Sequence, residues 1–248
     1  MIFSFILGNL IGSFLNVVIF RFPNNQSIVT PRSYCNNCKK HIPLYLNIPI
    51  ISYIMLRGKC QNCDSSISLQ YIIVELLTGI LFCLSFYGLP IDKAILLSVV
   101  FSCLIIISFI DYYYYLIPSS LLIFLLILLI PYSLLYEVSI YQIFIGSFSI
   151  TSYLLICTLL VSLFKKKVNI LGFGDVLLIF FIGGWLGLID SFFCLFISSI
   201  IGICYIACNN LKSGNKKITK IPFGTCLSVS FTIILLLKIY TDFKLIIF

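Results

Sequence analysis

Residues 94–111 read AILLSVVFSCLIIISFID. No position in this run is charged until Asp111 closes it. A continuous apolar stretch of this length, with no strand-like alternation, has the form of a membrane helix. The rest of the chain supports that form. Of 248 residues, 61% are hydrophobic and only 10% are charged, whereas a soluble domain carries about 25% charged residues. Such a chain cannot cover a water-facing surface. In lipid only helices or a closed barrel satisfy the backbone, and unbroken runs favour helices. The expected fold is an all-α polytopic membrane protein with about eight transmembrane helices. These fall at residues 1–20, 71–87, 94–111, 119–136, 140–164 and 175–190, in a seventh run ending near Cys208, and at 222–240. The first run lacks a basic leading region and a cleavage site, so it reads as a retained span.

Residues 21–70 form the one sizeable polar segment. The expected organisation is a first helix (1–20), a cytoplasmic zinc-binding loop domain (21–70) and a seven-helix membrane core (71–248). The loop holds Arg21, Arg32, Lys39, Lys40, Arg57 and Lys59 against one acid, Asp64. Basic residues collect on the cytoplasmic side, which places this loop inside and the N-terminus outside. Lys165-Lys166-Lys167 and then Lys212, Lys216, Lys217 and Lys220 fall on the same side by alternation. Only Lys93, Lys238 and Lys244 fall outside. The net charge of +8 therefore reads as a topology signal and a contact with anionic membrane lipids. No basic stripe with interleaved aromatics suggests nucleic acid.

The loop carries Cys35-Asn-Asn-Cys38 and Cys60-Gln-Asn-Cys63. Each pair offers two thiolates from a tight turn, and two pairs complete a tetrahedral sulfur site suited to structural zinc. Unliganded thiols or two disulfides are the alternatives. His41, the only histidine, reads as a polar loop residue rather than a ligand. The remaining seven cysteines lie in or beside apolar runs, where thiols behave as small apolar groups.

Four acids lie within or at the ends of hydrophobic runs: Glu75, Asp111, Asp175 and Asp190. An ionisable group at membrane depth is a functional candidate by default. Asp190 reads as interface solvation at an outer helix end. Asp111 precedes an Ile117-Pro118 turn, and Asp175 follows Gly172-Phe173-Gly174. Both acids are expected at cytoplasmic helix ends. There two close carboxylates would share a proton and work as base and acid on a peptide bond. An ion- or metal-coupled transporter using the same acids is the alternative, although no inverted repeat is evident. A scaffold whose metal knuckle docks a partner is a third reading.

Taken together, the motifs resemble the bacterial prepilin peptidases, the type IV leader peptidases of the GxGD aspartyl protease class. The likeness runs through Gly12-Ser13-Phe14-Leu15-Asn16, Arg21, Pro23 and Arg32, both CxxC pairs, Asn47-Ile48-Pro49 and Leu56-Arg57-Gly58-Lys59-Cys60. It continues with Glu75, Thr78-Gly79, Asp111 with Ile117-Pro118, Gly172-Phe173-Gly174-Asp175 and Pro222-Phe223-Gly224. The resemblance implies removal of a basic leader from prepilins or pseudopilins at the cytoplasmic face of the bacterial inner membrane. N-methylation of the new terminus from S-adenosylmethionine would follow in many members. It makes Asp111 and Asp175 the catalytic pair, the four loop cysteines zinc ligands, and residues 71–248 a protease core. It makes Glu75 the candidate for methyl-donor binding. The chain departs from the family pattern at Asn36 and Ile72, at Leu177, where a lysine is common, and at Thr225, where a proline is common.

Overall fold

The computed structural model describes residues 1–35, 37–165, 172–213 and 220–240. Asn36, Lys166, Lys167, Lys216, Lys217 and Lys244 lie outside the described residues, as does the end of the expected core, 241–248. The described residues are mainly helical. They divide into two compact units, Met1–Ile106 and Ile107–Phe248.

In the first unit, α1 (Ile2–Arg21) packs along α3 (Leu69–Ser85). Close approach is possible because small residues face the contact. A Cβ on Gly12 would stand 2.8 Å from the Cα of Glu75, so only a residue without a side chain fits there. Asn16 Nδ2 donates to the carbonyl of Tyr71 at 3.1 Å. Ser68 caps α3 by accepting the Gln70 N–H at 3.2 Å, relieving one of the donors a helix start leaves open. Between these helices the polar loop contains a 3₁₀ turn, Leu44–Leu46, and a short α2 (Ile51–Met55). Arg21 is buried. Its guanidinium donates to the carbonyls of Ser27 at 2.9 Å and Pro31 at 2.7 Å, so it ties the loop to the end of α1. The long α4 (Ile91–Tyr114) leaves the first unit after Ile106, so Asp111 near its C-terminus belongs to the second.

The second unit contains α5 (Ser119–Ile127), α6 (Leu129–Leu135), α7 (Ile140–Lys165), α8 (Phe173–Leu186), α9 (Leu188–Ser213) and α10 (Phe223–Tyr240). The central element is α8, packed by α5, α6, α7, α9 and α10. A helix apolar on all sides belongs inside a bundle, and Leu178, Ile179, Phe181, Ile182 and Trp185 are buried accordingly. Trp185 stacks on Tyr132 with ring centroids 4.2 Å apart. The Tyr132 hydroxyl donates to the Trp185 carbonyl at 2.8 Å.

The eight apolar runs expected are all helical, and they fall into two length classes. Among the described residues, four helices are long and apolar enough to cross a membrane: Ile2–Arg21, Ile91–Tyr114, Ile140–Phe164 and Leu188–Leu211. Leu69–Ser85, Ser119–Leu135, Phe173–Leu186 and Phe223–Ile239 are apolar but shorter. The 14 residues of α8 extend about 21 Å at a rise of 1.5 Å per residue, against a hydrocarbon core of about 30 Å. Gly187 causes the shortening. Its φ of +84° suits glycine and breaks the helix. The chain restarts at Leu188, so Asp190 belongs to the first turn of α9 rather than to the end of the sixth span. It also has a partner, Lys238, at 2.7 Å, where solvation alone was expected.

Candidate functional site

Each sequence-selected acid sits at a distinct kind of helix position. Asp111 is on the last turns of α4 and is 5% exposed. Asp175 is in the first turn of α8, where its Oδ2 accepts the Gly172 N–H at 3.3 Å. The first N–H groups of a helix have no partner inside it. At the start of α10 that shortage is met by Asp111: its Oδ2 accepts the Thr225 N–H at 2.7 Å and lies 3.1 Å from the Thr225 hydroxyl. Asp111 thus caps a helix 114 positions away in sequence.

The glycines beside the two acids share a neighbour, Ile117. A Cβ on Gly174 would stand 2.9 Å from the Ile117 Cβ. A Cβ on Gly224 would stand 2.7 Å from the Ile117 Cδ1 and 3.2 Å from Asp111 Oδ2. The Ile117 Cβ cannot swing away, so Gly174 is the strict condition for seating Ile117 between the starts of α8 and α10, whereas at Gly224 the contact is with the movable end of the isoleucine and with Asp111 Oδ2. This accounts for the Ile-Pro, Gly-Phe-Gly-Asp and Pro-Phe-Gly motifs as one interlocking joint. The charge of Asp111 acts directly on Asp175. The structure therefore brings the two acids into one site.

The four loop cysteines also converge. Their sulfurs all lie within 4.8 Å of one another, with Cys35 and Cys63 3.8 Å apart. Four sulfurs at about 2.3 Å from a zinc ion form a tetrahedron with edges of about 3.8 Å, so the donor set has the size of a metal site. The two knuckles are built alike. Isolated bridges pair Tyr34 with His41 and Lys59 with Ser66, closing each turn at matching positions. Lys39 and Asp64, each just after the second cysteine of its pair, both have positive φ, 58° and 53°. His41 serves the bridge and is not part of the sulfur cluster. The Cys38 N–H donated to its sulfur holds the Cys35 thiol down to about 6. Cys38 is pushed up to about 11: the Lys40 N–H pulls it down, but burial and the neighbouring sulfurs outweigh that pull. A dication relieves this conflict, because it allows all four sulfurs to be thiolates at once.

Glu75 belongs to neither cluster. It lies mid-helix on α3 in the first unit and is 7% exposed. Its Oε2 accepts the Ile50 N–H at 2.7 Å, and the Ser13 hydroxyl is a second partner. Ile50 has φ 62° and ψ −52°, and the Ile51 N–H reaches back to the Pro49 carbonyl at 2.6 Å. This is a γ-turn of the rare, strained hand, at a β-branched residue. Glu75, Asn16 and Ser52 help line a cavity of about 360 Å³ in this unit, which also reaches Cys35 and Cys60. That volume is within the range of small-ligand sites. Asn16 Oδ1 and Ser52 Oγ are buried without a hydrogen-bond partner, and among the described residues Glu75 has no cation beside it.

Sequence reasoning missed three participants. Thr225 stood out only as a departure from a motif, Ile117 only as half of a turn, and Ile50 carried no signal at all. The Leu177 departure lies one turn inside α8 and removes no partner of Asp175 named above.

Two family models match the chain: the Bacterial Peptidase A24 N-terminal domain over residues 6–89 and the Type IV leader peptidase family over residues 98–207. A prepilin leader peptidase/N-methyltransferase of Neisseria gonorrhoeae is 31% identical over 255 residues, covering 91% of this chain and 86% of that protein. One of Vibrio cholerae is also 31% identical, over 92% of this chain and 93% of that protein. One of Myxococcus xanthus is 47% identical over 112 residues, which is 44% of this chain and 33% of that protein. The transporter reading draws no support from these relatives. No solved structure matches the chain.

Proposed function

The chain belongs to the type IV leader peptidase family, and from that premise we propose that Asp111 and Asp175 are the catalytic pair of its prepilin leader peptidase activity. The observation that carries this reading is the interlocked joint around Ile117, which presents both acids from helix ends in one site. Two carboxylates brought together in one site would hold one proton between them. One withdraws a proton from water, and the other protonates the scissile carbonyl oxygen. The acids work at the inner face of the bacterial cytoplasmic membrane, with the N-terminus outside and the basic loop inside. The partners are prepilin or pseudopilin chains, whose apolar helix enters among the helices, and the surrounding lipids. Nucleic acid has no part.

Cys35, Cys38, Cys60 and Cys63 hold structural zinc in this reading. Four thiolates fill its shell and leave no position for water. Residues 21–70 form the metal-bearing loop, and the helices after it the protease core.

The companion activity is N-methyl transfer, and the cavity beside Glu75 is its proposed site. S-adenosylmethionine supplies an electrophilic methyl group on a sulfonium and carries a further ammonium. The chain fits such a ligand: a buried carboxylate, with no cationic partner among the described residues, faces a cavity whose lining residues include unpaired polar atoms. Glu75 supplies the counter-charge, and Asn16 and Ser52 supply polar contacts.

The test is cleavage of a co-purified prepilin in detergent by Asp111→Asn and Asp175→Asn variants, with the new N-terminus read by mass spectrometry. Each variant is expected to lose at least about 10³-fold in rate, as residues acting as a unit do. Processing retained in either variant would end the proposal.

A further inference from the structure

The interior of the molecule offers one residue at the reacting centre to which neither the motifs nor the family assign a role. Thr225 is the third residue of α10, whose own ladder begins with the Cys226 N–H reaching Pro222. Its N–H is therefore free of the helix, which is why proline is sterically acceptable there. Threonine adds two donors that proline lacks. Its N–H is 2.7 Å from Asp111 Oδ2, and its hydroxyl is 3.1 Å from the same oxygen. The hydroxyl also lies 2.8 Å from the Ser108 carbonyl. It has one proton and two acceptors.

We propose that Thr225 is a positioning residue that holds Asp111 as the ionised member of the pair, making Asp111 the base and Asp175 the acid. The inference rests on the reading of Asp111 and Asp175 as the catalytic pair. An oxygen that accepts an N–H at 2.7 Å and has a hydroxyl donor within 3.1 Å is a poor place for the shared proton. Among the described residues Asp175 accepts the Gly172 N–H, at the longer distance of 3.3 Å, and is the better place for it. In the reaction Asp111 takes a proton from water as the new oxygen–carbon bond forms, and Asp175 passes its proton to the carbonyl oxygen. Collapse of the intermediate breaks the carbon–nitrogen bond, moves the Asp111 proton to the leaving amine and returns the hydroxyl proton to Asp175. Each turnover thus converts Asp111 from acceptor to donor and back. The Thr225 N–H at 2.7 Å keeps Oδ2 an acceptor in both states, and the hydroxyl is shared between Oδ2 and the Ser108 carbonyl.

The described titratable groups facing Asp111 are Asp175 from α8 and Cys226 from α10. On its own side are Tyr112 and Tyr115, which Tyr205 of α9 joins. All of these stay unchanged in the following variants.

The experiment is the pH dependence of prepilin cleavage by the full chain in detergent, for the parent, Thr225→Val, Thr225→Ser and Thr225→Pro. Valine keeps the shape and the N–H but loses the hydroxyl. It is expected to lower kcat roughly tenfold with KM within about twofold, as loss of a hydrogen bond to a charged group does. It should also move the acid limb of the profile upward by about one pH unit. Serine is expected to restore both. Proline, which removes both donors, is expected to move the limb further than valine. Thermal melting in detergent separates misfolding from chemistry, and a valine variant that melts early is replaced by the proline variant. A limb that stays in place in both, or a serine variant no better than valine, overturns the proposal. Cleavage surviving in Asp111→Asn would instead overturn the catalytic assignment beneath it.

Discussion

Both units bury a carboxylate in a helix wall, but they use it in opposite ways. In the second unit the acids receive. Asp111 takes the open donors of α10, and Asp175 takes the N–H that opens α8. The surroundings are regular helix ends, whose geometry is fixed before any acid arrives. In the first unit the acid imposes. Glu75 is the partner that holds Ile50 in a conformation costing on the order of 1–3 kcal/mol. An acid placed by helix ends is suited to chemistry that needs fixed geometry. An acid that pins a strained turn beside a cavity is suited to a ligand site whose wall is able to change.

The largest effect that tests this contrast lies at the joint. Gly224→Val would drive a branched side chain into Ile117 and Asp111 Oδ2. Expected is a loss of prepilin cleavage of at least about 100-fold, since misplacement of a reacting group by about 1 Å has that cost. Near-normal cleavage would mean that the helix ends do not fix the pair.

Metal loss comes next. Metal binding competes with protons for the four thiols. Cys35, with its thiol held at about 6, is the first to offer a thiolate, and Cys38, at about 11, requires the cation to give up its proton. The sign follows from this. A depressed thiol supports the folded metal-bound state above its ordinary range, and that support is lost as pH falls through about 6. Zinc content measured by mass spectrometry after dialysis is expected to be full near about pH 8 and to fall steeply below about pH 6. Cys60→Ser should lose metal across the whole range. Flat retention would exclude a thiolate site.

Glu75 offers a finer division. Glu75→Gln keeps an oxygen for the Ile50 N–H and removes the charge, whereas Glu75→Ala removes both. Binding of S-adenosylmethionine by titration calorimetry is expected to weaken roughly tenfold in the glutamine variant. Only the alanine variant should also speed amide exchange at Ile50 and Ile51, because only it frees the strained turn. If both variants exchange alike and bind alike, the carboxylate is not what holds this wall.

The legibility of these regions in the sequence differs for a physical reason. The clustering of the four cysteines is legible because it is carried by residue type and short spacing, and the two aspartates stand out as candidates for the same reason. The metal cluster needs two tight turns, and each turn is local. The joint was readable only in pieces: glycines and prolines mark where the backbone bends, but not that Ile117 fills the space between two of them. Thr225 looked like a departure because its partner lies 114 positions away. The boundary between the sixth and seventh runs is illegible because hydropathy continues through Gly187, whose positive φ leaves no mark on an apolar profile. Ile50 was illegible, since nothing in an isoleucine announces left-handed backbone; the strain comes from Pro49, Ile51 and Glu75 around it.

The smallest expected effect concerns the other end of α8. Lys238 Nζ donates to Asp190 Oδ2 at 2.7 Å and to the Leu186 carbonyl at 3.1 Å, so one cation serves an acid and an open carbonyl of the helix terminus. The lysine is 45% exposed, and exposed pairs contribute about 0.2–1 kcal/mol. Asp190→Asn is therefore expected to lower stability in detergent by less than about 1 kcal/mol, read as a melting shift of a few degrees at most. Lys238→Met should cost more, since it also strips the cation from a helix C-terminus, where the dipole favours one. If the two variants cost the same, the Leu186 contact contributes nothing, and the fixed geometry assigned to α8 rests on its apolar packing and on the Asp175 end alone.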